Sequence, residues 1–458
     1  MSSDFPERSL TTAVAIEKGF TLDPLSTYAS LRSQFPGESF LLESVEGTKK
    51  TARYSFIGVD PVHTFKSRDG TVLADGEPYK AENPFESLRS RFRAFESGTS
   101  ELAPFSGGMV GYVGYGTVKY FEPVRGPSVG EGRFPDLPRH LVCFDHLNSR
   151  VMLITHGRIA DLRAALSEAR PHEPSTISVG EGVPNTSRDE FERMVSDARE
   201  HILDGDIFQA VLSRRVDFKV RGDSLEMYRA LRRMNPSPYL FHLDFDGVQL
   251  LGSSPEMLVR LEGTRLTTRP LAGTRPRASD PEEDEKLKLE MLLDEKERAE
   301  HLMLVDLHRN DMGRVSRFGT VKVNELMSVE KYSHVQHIVS NVESEISPDK
   351  DAFDALRACF PAGTVSGAPK VRAMQIISEL ERSPRGPYAG AVGYFDFTGD
   401  MDFAINIRSI SVADGNASVQ SGAGIVADSV PEREFMETEH KMRAMVESVR
   451  SIAGGGRA

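Results

Sequence analysis

The chain has 458 residues, of which 39% are hydrophobic and 27% are charged, and its formal net charge is -12 at pH 7. A chain of this length can bury a large core in two or three domains or in one interwoven domain. The acidic balance and the lack of a long run of Lys and Arg argue against a nucleic-acid-binding surface. We therefore expect no nucleic-acid partner.

Compartment and membrane association follow from what the sequence lacks. The first residues, MSSDFPERSLTT, do not contain the apolar core of a secretion signal, and no run of about 18 apolar residues predicts a membrane span. The two cysteines, Cys143 and Cys359, fit neither a disulfide framework nor a zinc motif. We expect a cytoplasmic protein without a membrane partner.

Residues 1–170 predict sheet rather than helix. Short apolar runs at 39–44 and 53–58 are separated by Gly and Pro, as in strands joined by turns. The glycine-rich segment 107–115 lacks GxGxxG spacing before a helix, so it predicts a closely packed strand rather than a nucleotide loop. The Pro- and Gly-containing segment 167–187 predicts a linker between an amino-terminal region, 1–170, and a carboxy-terminal region, 187–454.

The second region is predicted to begin with a helix and a hairpin. Ser187 and Glu190 form a capping-box pattern before a helix that ends near Leu203. The next strand contains Gln209, and an Asp-Gly pair between two apolar runs predicts a hairpin. Glu256 follows the second strand of that hairpin, at a position where loop side chains are often functional. A solvated loop glutamate is the simpler alternative.

An acidic helix is predicted from about residue 280 to residue 311. With residues placed about 100° apart, Glu300 lies in the middle of its apolar stripe. That stripe consists of Leu289, Leu292, Leu293, Met303, Leu304 and Leu307. An ionised carboxylate on a buried face requires a partner cation, a metal or a proton. A structural ion pair and a ligand site are the two explanations.

The segment 361–370, PAGTVSGAPK, is predicted to lead into a helix. Its hydroxyl groups and the unpaired backbone N–H groups of a helix start suit a carboxylate or phosphate. The GxxxxGK[ST] spacing of a phosphate-binding loop is not met, and plain helix capping is the competing explanation.

The carboxy-terminal part predicts a meander with one strand over residues 401–412. On that strand Arg408 alternates with Phe403, Ile405 and Ile407, so it faces away from the aliphatic side chains. An arginine at such a position is either a ligand for a carboxylate or an exposed surface residue.

The last predicted helix carries Glu434, Glu437 and Lys441 on the border of its apolar stripe. With Glu297 and Glu300, two acidic pairs at i,i+3 spacing lie on two helix faces. A divalent cation held by oxygen atoms would remove their repulsion and the cost of burial. No His or Cys shares those faces, which favours magnesium. We therefore predict that Glu300 and Glu437 bind Mg²⁺.

Seven segments together resemble the large subunits of anthranilate synthases and thereby the chorismate-utilising enzymes. The segments are LLES (41–44), RYSFIG (53–58), NPSPY (235–239), PLAGTRPR (270–277), AEHLMLVDL (299–307), PAGTVSGAPK (361–370) and GAGIVADS (422–429). The resemblance spans nearly the whole chain. It implies an α/β fold of the α+β type, a large two-sheet sandwich wrapped by helices, with chorismate and Mg²⁺ in the cleft between the sheets.

The same resemblance implies roles for individual residues. Mg²⁺ is expected on Glu300 and Glu437, with Glu297 and Glu434 nearby. The chorismate-binding residues implied are Gly273, Thr274, Tyr394, Arg408, Gly422, Ala423, Gly424 and Lys441. Glu256 is the implied acid for loss of the 4-hydroxyl, and His337 is the implied group beside the ring where a proton is removed. Thr364 and Gln209 complete the implied catalytic set.

The implied reaction is amination of chorismate at C2 by ammonia with loss of the 4-hydroxyl, and then elimination of pyruvate. Relatives that hydrate chorismate carry a lysine where this chain has Gln209. Aminodeoxychorismate synthases typically carry a nucleophilic lysine where this chain has Ala272. Anthranilate is therefore the favoured product. The alternatives are an aminodeoxychorismate synthase large subunit and a chorismate or tryptophan sensor without catalysis.

The resemblance also implies an inhibitor site and a partner. Ser44, Pro238, Tyr239 and Leu240 match the segments that bind L-tryptophan in the family, although Met is more common where Leu240 stands. We therefore predict feedback inhibition by L-tryptophan. Nothing in the chain resembles the cysteine nucleophile of a glutaminase, so the use of glutamine requires a separate glutamine amidotransferase subunit.

Overall fold

The computed structural model describes residues 8–10, 12–44, 53–97, 103–124, 131–135, 138–332 and 335–451. The outermost residues of the two predicted regions, 1–7 and 452–454, lie outside this part. The α-helices of the described residues are α1 (Pro24–Gln34), α2 (Pro84–Arg93), α3 (Ile159–Glu168), α4 (Arg188–Leu203), α5 (Ser224–Met234), α6 (Pro281–Leu293), α7 (Glu295–Gly313), α8 (Ala352–Cys359), α9 (Lys370–Leu380) and α10 (Pro431–Ser451). None of these helices is long and apolar enough to cross a membrane.

Two large antiparallel sheets form the framework. Sheet 1 has the strand order β19 (Leu271–Pro276), β21 (Val335–Glu345), β18 (Arg265–Thr268), β17 (Met257–Glu262), β24 (Met401–Ile405), β23 (Ala391–Asp396), β9 (Gly108–Val113), β10 (Glu131–Pro135), β5 (Thr64–Arg68), β6 (Thr71–Ala74) and β7 (Glu77–Lys80), and β20 (Lys322–Lys331) pairs with β21.

Sheet 2 has the strand order β13 (Ser178–Pro184), β14 (Gln209–Arg221), β26 (Asn416–Ile425), β25 (Ser409–Ala413), β16 (Val248–Ser254), β15 (Tyr239–Phe245), β3 (Ser39–Glu43), β4 (Tyr54–Pro61), β11 (Pro138–Asp145), β12 (Arg150–Thr155) and β2 (Ala13–Lys18), and β22 (Gly367–Ala368) pairs with β14. A separate parallel pair joins β1 (Arg8–Leu10) to β8 (Phe95–Ser97). Strands from both predicted regions share each large sheet, as in the pairings of β9 with β23 and of β3 with β15.

Side-chain alternation on the strands divides the core into layers. Val392 and Tyr394 of sheet 1 pack with Phe56 and Phe241 of sheet 2 in one buried cluster between the sheets. The intervening residues face outward, so Phe395 stacks on Phe353 of α8. Helices α5 and α10 cover the outer face of sheet 2. The expected two-sheet sandwich wrapped by helices is confirmed.

Two neighbouring segments pass from one sheet to the other. β16 of sheet 2 leads into β17 of sheet 1, and β24 of sheet 1 leads into β25 of sheet 2. Backbone and side-chain bonds tie these crossings together. The Ile405 N–H donates to the Glu256 carbonyl at 3.0 Å, and the Ser254 hydroxyl donates to the Ile405 carbonyl at 2.7 Å. The crossings place Glu256 and Arg408 where the two sheets meet.

The prediction of one strand over residues 401–412 is therefore wrong, because this segment contains two strands in different sheets. The chain leaves sheet 1 after Ile405 and enters sheet 2 at Ser409. Arg408 lies between them with a φ of 51°, in the left-handed region. Apolar alternation continues through the crossing, so the sequence pattern does not reveal the change of sheet.

The helix predicted over residues 280–311 is also two helices. The Asp294 N–H bonds to the Glu290 carbonyl at the end of α6. Its side chain then accepts hydrogen bonds from the N–H groups of Lys296 and Glu297 and so caps α7. Because the helix is interrupted at Asp294, the apolar stripe of α7 does not continue along α6. Leu293 of α6 is accordingly 71% exposed. The predicted apolar stripe is wrong for α6.

Other local predictions are confirmed. The Ser187 and Glu190 side chains form a capping box at the start of α4. β15 and β16 form the predicted hairpin around Asp246 and Gly247. The linker predicted over residues 167–187 is not among them, because this segment contains β13, which pairs with β14 at the edge of sheet 2.

Candidate active site

The crossing between the sheets holds a buried acid with an unpaired oxygen. Glu256 is 4% exposed. Neither its Oε1 atom nor the Thr364 Oγ1 atom has a hydrogen-bond partner among the described residues. Two buried polar atoms without partners, on neighbouring side chains, leave room for a ligand to bond both.

The electrostatic surroundings of Glu256 favour its protonated form. Burial raises the pKa of the Glu256 carboxyl to about 8. The Thr364 hydroxyl and the cations Arg408 and Lys441 oppose that rise, so all three lie near the carboxyl. At neutral pH Glu256 can donate a proton.

His337 faces the same region from β21 of sheet 1. It is 1% exposed, and its Nδ1 atom lies 3.1 Å from the Gly273 carbonyl and 3.0 Å from the Thr274 hydroxyl. A carbonyl only accepts, so we assign the proton to Nδ1, which leaves Nε2 as an acceptor. Burial lowers the pKa of His337 to about 4, with Arg408 acting in the same direction. The imidazole is neutral at pH 7.

Gly273 allows the close approach of β19 to α7. Its φ is +64°, and a Cβ atom there would lie 3.3 Å from Glu297 Oε2. A bulge between Ala272 and Thr274 interrupts the pairing with β21. Glycine is the residue that takes this backbone conformation without strain.

The Gly422-Ala423-Gly424 segment of β26 lies against β14. A Cβ atom on Gly424 would lie 2.6 Å from Gln209 Nε2, so the glycine makes room for the Gln209 amide. The Gly422 carbonyl accepts a hydrogen bond of 3.1 Å from Lys441 Nζ. Ala423 points into a separate buried cluster behind the sheet.

The acidic faces of α7 and α10 meet at this site. Burial raises the pKa of Glu300, and both Glu297 and Glu437 act in the same direction. Burial also raises the pKa of Glu434, with Glu437 adding to the rise. Glu437 Oε1 lies 2.7 Å from Lys441 Nζ. The predicted meeting of carboxylates from two helices is thus present.

Cations of the chain partly neutralise these carboxylates. Arg275 donates to Glu297 at 2.9 Å. Among the described residues, no three His, Cys, Asp or Glu side chains converge closely enough to hold a metal alone. Mg²⁺ commonly takes one or two carboxylates and completes its shell with water and substrate oxygens. Carboxylates on two facing helices fit that type of site.

Tyr394 does not lie with the other predicted substrate residues. Its ring packs against Phe56 and Phe105 between the sheets, and it lines the cavity that contains Tyr239. Alternate residues of a strand face opposite sides. Which side of β23 faces the other sheet depends on how the two sheets pack, and Tyr394 lies on that side. The sequence analysis placed Tyr394 beside Arg408 as a substrate-binding residue. The structure places its side chain in the cavity that contains Tyr239 instead.

Tyr388 was not selected from the sequence, although it lies at the site. A Cβ atom added to Gly422 would lie 3.0 Å from the Tyr388 hydroxyl, so this hydroxyl lies next to Gly422. Tyr388 is 7% exposed. It precedes β23 in an irregular segment, where side-chain direction has no periodic pattern. The neighbouring Pro387 and Gly386 were the available signals of a constrained turn.

The four predicted inhibitor residues line one cavity of about 540 Å³ between the sheets. These residues are Ser44, Pro238, Tyr239 and Leu240. The Tyr239 hydroxyl donates to Asp402 at 3.0 Å, and Arg260 Nε donates to the same carboxylate at 2.9 Å. A concave volume with aromatic walls and a few fixed polar groups is typical of a small-molecule site.

Comparison with known families gives a match over most of the chain. The model of the chorismate binding enzyme family matches residues 37–447. Anthranilate synthase component 1 of Methanothermobacter thermautotrophicus is 45% identical over 444 residues, which cover 95% of this chain and 93% of that protein. Anthranilate synthase component 1 of Thermus thermophilus is 44% identical over 446 residues, with coverage of 94% and 96%.

Solved structures show the same architecture. The crystal structure of anthranilate synthase component I from Streptococcus pneumoniae superposes with a TM-score of 0.77 at 38% identity, covering 86% of this chain and 92% of that one. The menaquinone-specific isochorismate synthase MenF of Escherichia coli superposes with a TM-score of 0.74 at 20% identity, covering 98% and 96%. At that identity the second likeness shows the fold alone.

Proposed function

The chain belongs to the chorismate-binding enzymes, and we propose that it is the large subunit of an anthranilate synthase, which converts chorismate and ammonia to anthranilate and pyruvate. The observation that carries this proposal is the buried acid Glu256, which faces Thr364 and Arg408 at the crossing between the sheets. The relatives that are 44–45% identical over nearly the whole chain bear that name.

Chorismate is a dianion, and this acidic chain needs local cations to hold it. Arg408 presents a fork of donors that suits a carboxylate. Lys441 and the segment Gly273-Thr274 lie around the same space. These groups orient the ring so that its C2 and its 4-hydroxyl lie within reach of the acid and base residues.

Glu256 is the proton donor for loss of the 4-hydroxyl. The hydroxyl leaves as water when it gains a proton as its C–O bond breaks. A carboxyl with a pKa of about 8 is largely protonated at pH 7, and its unpaired Oε1 atom has no competing partner among the described residues. The Thr364 hydroxyl can bond the same leaving group.

His337 accepts the proton that is removed from C2 when pyruvate is eliminated. Its Nδ1–H group is fixed by the Gly273 carbonyl, which leaves the Nε2 lone pair as the acceptor. A neutral imidazole serves this role, and a cationic one does not. The lowered pKa of His337, about 4, keeps it neutral throughout the physiological range.

Magnesium is the proposed cofactor, with Glu300 and Glu437 as its protein ligands and Glu297 and Glu434 as their neighbours. When bound there, the ion would neutralise a substrate carboxylate and polarise it. The observation in support is that burial and mutual repulsion raise the pKa of Glu300, so this group gains from an added cation.

Two residues favour amination over the reactions of other family members. Gln209 is 4% exposed, and an amide at this position cannot take a proton from water. Ala272 has no nucleophile, so a covalent intermediate with a lysine at that position is excluded. Ammonia, which is already a nucleophile, needs neither group.

The cavity that contains Ser44 and Tyr239 is the proposed site of L-tryptophan. Its volume of about 540 Å³ and its aromatic walls suit an indole ring. Asp402 and Arg260 supply charges for the amino and carboxylate groups. Since Tyr394 lines this cavity from sheet 1, occupancy of the cavity would act on the packing between the sheets.

A separate glutamine amidotransferase subunit is the proposed source of ammonia. The relatives are named component 1, which implies another component. Without the partner, the chain is expected to use ammonium salts.

One assay tests the proposed function. The purified chain with chorismate, Mg²⁺ and an ammonium salt is expected to form fluorescent anthranilate and equimolar pyruvate. Formation of an aminated product that keeps its enolpyruvyl ether would identify an aminodeoxychorismate synthase instead. Absence of turnover, together with binding of chorismate or tryptophan, would identify a sensor.

A further inference from the structure

A row of three side chains crosses sheet 1 at His337. On β21, His337 lies opposite Thr274 of β19 and opposite Glu330 of β20. Residues that lie opposite each other in antiparallel strands point to the same face of the sheet, with Cβ atoms about 4.5–5.5 Å apart. The Thr274 hydroxyl contacts Nδ1 of the imidazole. Glu330 therefore places a carboxylate on the opposite side of His337 from Thr274.

Both oxygens of the Glu330 carboxylate are anchored. Arg269 Nη2 donates to Oε1 at 2.6 Å, and the Tyr332 hydroxyl donates to Oε2 at 2.8 Å. The Arg269 and Glu330 side chains are 21% and 23% exposed, so this ion pair is mostly sheltered from water. Two donors on different oxygens fix the orientation of a carboxylate. The negative charge of Glu330 is thus held beside His337.

Tyr332 connects this carboxylate with the imidazole. The Tyr332 and His337 rings meet edge to face, with centroids 5.8 Å apart and an interplanar angle of 62°. The backbone of Tyr332 is fixed as well, because its N–H donates to the Val335 carbonyl at 2.8 Å and its carbonyl accepts from Arg277 at 2.7 Å. Edge-to-face contacts favour one mutual orientation of two rings. The bond between Tyr332 and Glu330 therefore also restricts the imidazole.

The charges around His337 act in opposite directions. Burial and Arg408 lower the pKa of His337, whereas Glu330 raises it. The titratable phenol of Tyr332 contacts the ring from the turn after β20. Without a carboxylate nearby, the buried imidazole would be a still weaker base. Glu330 thus offsets part of the effect of burial.

His337 gains a positive charge when pyruvate is eliminated. The proton on C2 moves to Nε2, the electron pair of the C–H bond forms a double bond of the ring, and the bond between C3 and the ether oxygen breaks. The enolpyruvate that leaves takes up a proton and becomes pyruvate. A buried cation without a partner is costly. A fixed carboxylate lowers this cost at the step in which the charge appears.

We propose that Glu330, held by Arg269 and Tyr332, is a positioning residue for His337, which orients the imidazole and stabilises the positive charge that it gains during the elimination of pyruvate. This inference rests on the proposed function. Glu330 acts through His337 and not on the substrate. Amination at C2, which does not use His337, should therefore be independent of Glu330.

The test removes the charge of Glu330 and keeps its size. In Glu330→Gln, with ammonium and Mg²⁺, we expect kcat for anthranilate to fall about tenfold, with the KM for chorismate within about twofold. Because amination continues, the aminated compound that keeps its enolpyruvyl ether should accumulate and be released. The matched control is Glu325→Gln, at an exposed position of the same strand, which should change none of these quantities.

Chorismate deuterated at C2 gives a readout that a general disturbance of the site would not change. Removal of the C2 proton becomes slower relative to the other steps in Glu330→Gln, so the isotope effect on kcat should be larger than in the wild type. Glu330→Asp keeps the negative charge and should recover part of the rate. An unchanged kcat would overturn the role of Glu330, as would an equal loss of amination and elimination with an unchanged isotope effect.

A second variant covers the case in which glutamine at this position prevents folding. Tyr332→Phe keeps the ring beside His337 and removes the hydroxyl that bonds Glu330. Its isotope effect should also rise, by less than in Glu330→Gln, and an isotope effect equal to that of the wild type would overturn the inference.

The outcomes separate this inference from the proposed function. A wild-type chain that forms neither anthranilate nor the aminated compound from ammonium would refute the proposed function and the role of Glu330 with it. A wild-type chain that forms anthranilate, together with a Glu330→Gln variant of equal kcat, would refute the role of Glu330 alone.

Discussion

The amide N–H of Ser253 donates a hydrogen bond of 3.0 Å to the carbonyl of Arg408. Ser253 lies at the end of β16, just before one crossing between the sheets, and Arg408 lies in the other crossing. Since Arg408 has a φ of 51°, this bond helps to hold a conformation that arginine rarely takes. The guanidinium group and the acid Glu256 are therefore positioned by paired backbone rather than by a loose loop.

The first prediction concerns the acid. Glu256→Gln is expected to lower kcat about a hundredfold or more, because the amide cannot supply a proton. In the wild-type enzyme, kcat should fall as the pH rises through about 8, the pKa of Glu256. Glu181→Gln, at an exposed position of β13, is the control and should leave the rate unchanged.

Thermal unfolding gives an independent measurement of the same pKa. Burial raises the pKa of Glu256 from 4.5 to about 8, so the folded state binds an extra proton between these values. This contribution to stability is present below pH 4.5 and is lost as the pH rises to about 8. The Tm of the wild type relative to Glu256→Gln should fall across that window. A constant difference would contradict the raised pKa.

The second prediction concerns Arg408. Arg408→Gln is expected to raise the KM for chorismate about tenfold or more, because a hydrogen-bonded charge partner of a carboxylate is lost. Arg408 also lowers the pKa of Glu256, so its removal should move the fall in kcat to higher pH. Arg433→Gln, on the exposed side of α10, should change neither quantity. An unchanged pH profile in Arg408→Gln would show that Arg408 does not affect the pKa of Glu256.

Local sequence patterns predicted the elements that depend on neighbours in the chain. The capping box at Ser187 and the hairpin at Asp246 are examples. The crossing at Arg408 was not predictable in this way, because the apolar alternation of β24 continues into β25 while the hydrogen-bonding partners change. Only the pairing of distant strands determines where the chain changes sheets.

For the site, charged residues gave the sequence analysis a clearer signal than aromatic residues did. The carboxylate of Glu300 conflicts with a partly buried helix face, and this conflict led to the prediction of a metal site between α7 and α10. Tyr388 and Tyr394 carry no such conflict, since a tyrosine suits either a core or a site. Their positions depend on how the two sheets pack, which no local pattern contains.

The third prediction concerns the metal. The double variant Glu300→Gln, Glu437→Gln is expected to bind Mg²⁺ at least about tenfold more weakly, because both charged ligands are lost. Isothermal titration of the isolated chain measures this directly, and the electron paramagnetic resonance of Mn²⁺ can serve as a second readout. Glu447→Gln, on an exposed position of α10, is the matched control. Unchanged affinity in the double variant would remove the proposed metal site.

The fourth prediction concerns inhibition. Ser44 lines the cavity of about 540 Å³ that contains Tyr239 and Tyr394. An arginine at this position would fill part of the volume and bring a charge beside Arg53, which lines the same cavity. Ser44→Arg is therefore expected to raise the concentration of L-tryptophan needed for half-inhibition about tenfold or more, with the KM for chorismate within about twofold. The control is Ser196→Arg on the exposed side of α4. A wild-type enzyme that is indifferent to tryptophan would refute the assignment of this cavity.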